Sequence, residues 1–187
     1  MIFDSGVCME KMLAYYSFRY LYDSMEALKV DSESSGIMVT KPLPLYIFAA
    51  FTYESFLNHA GHFVFKSWDE HLKPKLSPLG KMSFLCEVAG IDLDYGNSPF
   101  QTFKSVMELR NELAHAETEF LPYDEIKHHD PANWPKPKWQ KIVGNLESKR
   151  VIKDLEEIIE IMEKALGLMP VPSLILMEAV EVPDKRV

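Results

Sequence analysis

Val151, Leu155, Ile158, Met162 and Ala165 recur at three- and four-residue intervals, Ile152, Ile159 and Leu166 widen the same stripe, and Gly167 follows it. That spacing matches the 3.6-residue turn and predicts an amphipathic helix whose apolar face needs a partner. Helical periodicity dominates the rest of the chain too, and no alternating run is long enough to argue for a sheet. The expected fold class is therefore all-α, a bundle of about five helices.

Composition permits this. The chain has 187 residues, 47% hydrophobic and 26% charged, enough for one core needing no disulfide or metal staple. Two cysteines, Cys8 and Cys86, are too few for a disulfide framework and read as buried thiols in a reducing compartment. The start, MIFDSGVCMEK, places Asp4 before any apolar run and lacks a basic stretch, which argues against a secretory leader. No run of about 18 uncharged apolar residues exists, so no membrane span is expected. A cytoplasmic protein is the expectation. The net charge of −8 excludes a generally basic nucleic-acid coat and leaves room for a local basic site.

Along the chain, the first helix is expected over about Met9 to Val30, followed by the polar linker Asp31 to Gly36. Pro42 and Pro44 open a second helix, roughly Leu45 to Trp68, whose YIFAAF segment is apolar on every face and suits the centre of the bundle. Ser77-Pro78 starts a third that ends near Gly90. Ser98-Pro99-Phe100-Gln101 starts a fourth, with Ser98 and Gln101 spaced as a capping box. From Glu117 to Gly144 a long connection carries Pro122, Pro131, Pro135 and Pro137 with Trp134 and Trp139. After the final helix, the tail from 168 to 187 reads as an extended strap or a partner-binding segment. The expected organisation is one domain over 1–187, with its core in 42–116 and 145–167.

Two places break the apolar pattern. Arg110 occupies the stripe formed by Phe103, Val106, Met107, Leu113 and Ala114. A charge there must snorkel or find a carboxylate. Glu54, Asn58 and His62 form a four-residue-spaced polar line on the second helix. The two faces are expected to meet, with Glu54 pairing to Arg110. One reading of that pair is a structural tie that sets helix register.

Arg110-Asn111-Glu112-Leu113-Ala114-His115 resembles the Arg-Asn-x-x-x-His signature of HEPN domains, a helical superfamily that includes ribonuclease toxins and CRISPR-associated RNases. It lies at the end of a helix, after an apolar helix bearing Glu54 and Asn58 and before a final amphipathic one. The resemblance spans about Pro42 to Ala116 and Asn145 to Leu166. It implies metal-independent cleavage of RNA, with His115 as base or acid, Arg110 as a planar fork for phosphate oxygens and Asn111 as an orienting group. It also implies a homodimer whose two signature helices line a cleft, and a defence or toxin–antitoxin setting.

Glu112, Glu117 and Glu119 would repel a phosphate near His115. The compensating stretch holds Lys136, Lys138, Lys141, Lys149, Arg150 and Lys153 against the single acid Glu147. With Trp134 and Trp139 alongside, it suits a single RNA strand, charges on phosphates and indoles under bases. The alternative is a solvated segment whose tryptophans fold back onto the bundle. His59 with His62, and His128-His129-Asp130, match no recognised metal spacing. No metal or cofactor is expected, since the glycines form no phosphate-binding loop. Three functions remain open: an endoribonuclease using Arg110, Asn111 and His115; a non-catalytic HEPN-like module binding a partner protein, an antitoxin or RNA; and a structural bundle.

Overall fold

The computed structural model of the chain describes residues 11–13, 42–115, 136–169 and 179–181. Among these are five α-helices: α1 (Leu43–Val64), α2 (Pro78–Ala89), α3 (Phe100–Ala114), α4 (Lys138–Gly144) and α5 (Ser148–Leu166). The fold is an all-α bundle. A single turn of π-helix, Trp68–Leu72, joins α1 to the loop before α2. A two-stranded antiparallel ribbon pairs β1 (Lys11–Leu13) with β2 (Ala179–Glu181), Met12 opposite Val180.

The ribbon corrects the expectation of a helix from Met9 at the residues described there. Three-residue strands are too short to leave a period-two signature, and their pairing joins segments far apart in sequence. The described part of the tail is accordingly extended at 179–181. The rest of the first expected helix, the Asp31 to Gly36 linker, residues 116–135 and Cys8 lie outside the described residues.

α1 holds the bundle together, packing against α2, α3 and α5. Leu45, Ala49, Tyr53, Phe56, Leu57 and Ala60 are completely buried. It is not enclosed all round: Phe51 remains 42% exposed, and Ile47 and Phe48 are half-buried. The apolar YIFAAF segment therefore faces inward on one broad side rather than on all of them. Val151, Leu155, Ile158 and Met162 of α5 are buried against the same cluster, as the stripe requires, while Ala165 is exposed.

The helix ends follow local chemistry. Ser77 caps α2 by accepting the Gly80 amide at 3.1 Å. Gly90 and Gly167 close α2 and α5 in the left-handed region, at φ of 67° and 66°. The α3 start differs from the expected capping box. Pro99, not Ser98, is the cap residue, after a cis Ser98–Pro99 bond, and no side chain caps the helix. Ser98 turns its hydroxyl to Asp154 instead.

At the far end of α1, Gly61 lies against the indole of Trp68, which leaves no room for a Cβ at that position. The connection before the last helix is not wholly irregular, because α4 forms within it and packs against α3. Val143 is buried, and Trp139 and Ile142 pack on the core. Cys86 is buried, and burial pushes its thiol up to about 11, so it is an inert core group. Among the described residues no helix is long and apolar enough to cross a membrane.

Candidate functional site

Glu54 lies at mid-length on α1, on the side that turns toward α2 and α3. Its two carboxylate oxygens take different partners. Oε2 accepts from Nη2 of Arg110 at 3.1 Å, and Oε1 lies 3.6 Å from Nζ of Lys81 on α2. The expected meeting of Glu54 and Arg110 is thus observed. Lys81 was not among the residues singled out from sequence, yet it is the most enclosed cation here, only 4% exposed. A lysine this buried needs a carboxylate partner. One carboxylate therefore serves two cations, leaving a local excess of one positive charge.

Arg110 is held from two directions without being enclosed. Nη2 goes to Glu54, Nη1 donates to Asn111 Oδ1 at 2.9 Å, and the side chain stays 30% exposed. Asn58, one turn beyond Glu54, is half-buried, and its Oδ1 has no hydrogen-bond partner among the described residues. His62, the third member of the polar line, leads elsewhere. Its Nδ1 meets Asp69 at 2.6 Å, and Lys73 braces that carboxylate from 3.3 Å.

His115 is the C-cap residue of α3, bonded through its backbone amide to the Asn111 carbonyl. Its imidazole is exposed. Five residues of α-helix amount to about 500° of rotation, so Arg110 and His115 leave the axis roughly 140° apart. Asn111 stands one turn before His115 and accepts from Arg110 through its side-chain oxygen. Both side chains reach solvent, and neither is sealed inside the bundle.

Glu112 forms an ion pair with Lys138, which ties the start of α4 to the last turn of α3. One of the acids expected to crowd His115 is thereby matched by a lysine of the basic stretch, while Glu117 and Glu119 lie outside the described residues. Lys136, Lys138 and Lys141 are exposed on or beside α4, and Lys149 is exposed at the start of α5. Trp139 packs on the core, which favours the folded-back alternative for this indole. Trp134 lies outside the described residues.

Arg150 has an architectural engagement. It donates to Ser98 Oγ at 3.3 Å and Gln101 Oε1 at 3.2 Å, and its Nε lies 3.4 Å from Asp154. Asp154 itself is buried, accepting from the Ser98 hydroxyl at 2.6 Å and from the Thr102 hydroxyl. This cluster fastens the start of α3 to α5. Sequence reasoning missed Asp154 and Lys81, although the signal that found Arg110 marks both. Asp154 falls between Val151 and Ile158 on the apolar stripe, and Lys81 shares the buried face of α2 with Met82 and Leu85. Among the described residues no three or more His, Cys, Asp or Glu side chains gather as metal ligands.

No protein-family model, curated protein or solved structure matches this chain. Its functional reading therefore rests on the site itself.

Proposed function

We propose that the chain is a HEPN-like, metal-independent endoribonuclease of defence or toxin–antitoxin type, cleaving single-stranded RNA with Arg110, Asn111 and His115 at a cleft between two copies. The observation that carries this reading is the state of Arg110. Its guanidinium is anchored by one carboxylate oxygen and one amide oxygen, and it remains open to solvent. Such a fork can donate to phosphate oxygens without abandoning its anchor.

In this reading one His115 takes the proton of a ribose 2'-hydroxyl, whose oxygen attacks the adjacent phosphorus. The 5'-oxygen leaves with a proton from the second copy's His115, giving a 2',3'-cyclic phosphate and a 5'-hydroxyl. Arg110 offsets the charge that builds on the phosphoryl oxygens. The pairing of Lys138 with Glu112 supports the approach of a polyanion by offsetting the charge of that acid.

A second reading draws on the same ion pair. If Glu54 and Arg110 serve only to set helix register, the chain is a HEPN-like binding module for RNA, a partner protein or an antitoxin. Incubation with single-stranded RNA under EDTA separates the two. The first reading expects cyclic-phosphate products from the wild type and none from His115→Ala, at an unchanged melting temperature because the side chain is exposed. Equal cleavage by both proteins, or none by the wild type, overturns it. Retained RNA or partner binding without cleavage supports the second.

A further inference from the structure

We propose that Lys81 is a positioning residue for the phosphate-binding guanidinium, which it keeps end-on and open by pairing with the other oxygen of Glu54 and so orienting that carboxylate. The inference rests on the reading of Arg110 given above and goes beyond it. A carboxylate and a guanidinium left alone favour a two-point fork, both oxygens against two parallel N–H groups. In this chain that geometry is not formed. Oε1 of Glu54 is drawn toward Lys81, whose Nζ lies 3.6 Å away, and Arg110 contacts Oε2 alone, at 3.1 Å.

The consequence is a guanidinium bound end-on, with N–H groups outside the Glu54 and Asn111 contacts still available on its exposed side. The charges also favour an anion. One negative charge between two positive ones leaves a net positive site, and the buried cation is the one solvent screens least. Lys81 is too enclosed, at 4% exposed, to reach a ligand itself. Its effect must pass through Glu54 and Arg110.

The test uses the full chain and a fluorescein-labelled 2'-O-methyl oligouridine, which binds but offers no hydroxyl to attack. Affinity is measured against salt for the wild type, Lys81→Met, Lys81→Arg, Arg110→Met and the double variant Lys81→Met/Arg110→Met. Each phosphate contact on a single strand contributes about 0.7 to the slope of log K against log salt. The proposal expects Lys81→Met to lose affinity and about that much slope, as Arg110→Met does. The double variant should lose no more than either alone, and Lys81→Arg should restore both quantities. Lys81→Gln carries the test if Lys81→Met does not fold, as read by circular dichroism.

A lower slope in Arg110→Met with an unchanged one in Lys81→Met overturns the proposal and leaves the RNA reading standing. An unchanged slope in Arg110→Met overturns the RNA reading, and the proposal with it.

Discussion

The hydroxyl of Ser98 donates to the buried carboxylate of Asp154 at 2.6 Å, across 56 residues of chain. Thr102 and Arg150 complete the set around that carboxylate. Removing the acid leaves the Thr102 hydroxyl buried without its acceptor. Asp154→Ala is expected to cost about 2–4 kcal/mol, read as a lower midpoint in urea unfolding. Arg150→Ala, at a half-exposed side chain, should cost under about 1 kcal/mol. Equal losses would refute this ranking.

Tyr53 gives a change of the opposite sign. Its ring is fully buried and meets Phe103 edge-on at 5.0 Å, but its hydroxyl has no partner among the described residues. Burial, with the nearby Asp154 charge, holds the phenol well above its ordinary pKa. Tyr53→Phe keeps the ring and deletes the unsatisfied group, so stability should rise by about 1 kcal/mol. A clear loss on thermal unfolding would show that the hydroxyl is bonded.

Glu54 should matter more to folding than Arg110 does. Glu54→Ala strands the enclosed Lys81, at an expected cost of roughly 2–4 kcal/mol. Arg110→Ala leaves Glu54 with Lys81 and deletes a partly exposed side chain, for about 1 kcal/mol or less. Chemical denaturation of the two variants side by side decides the order.

Stability depends on pH through His59. Burial, with a contribution from His62, pushes the His59 imidazole down to about 4 from its usual 6.5. Between those values the unfolded chain binds the extra proton and the folded one does not, so stability rises with pH across the interval and levels off above it. His59→Leu should flatten the profile there. Asp69, lowered chiefly by its hydrogen bond to His62, contributes stability above 3.8 that is lost only as the pH falls below that value. An unaltered profile in His59→Leu would mean that the imidazole takes up its proton over the same pH range folded as unfolded.

What could be read from the sequence was local chemistry or an unavoidable pairing. Ser77, Gly90 and Gly167 end helices through bonds within a few residues, so their roles were visible without a partner. Arg110 sat in an apolar stripe and had to meet a carboxylate, and Glu54 belonged to the conspicuous polar line of α1. Ser98 misled because its spacing to Gln101 is that of a capping box, while the competing acceptor lies on α5. α4 is seven residues long, too short to be stable alone. The burial of Val143, the packing of Trp139 and the Glu112–Lys138 pair accompany its formation. Lys81 and Asp154 carried the same mark as Arg110, and only the packing reveals where each finds its opposite charge.

The hydroxyl of Tyr46 reaches the carbonyl of Leu146 across 100 residues, and the inward side of α1 is completed by α5. On the ribosome, α1 therefore emerges long before the surface that covers it. Until Val151 to Met162 have left the exit tunnel, Leu45, Phe56 and Leu57 have no final home, and the nascent chain presents a sticky helix to its surroundings. Chaperone demand during translation should thus fall sharply once that last amphipathic segment is released.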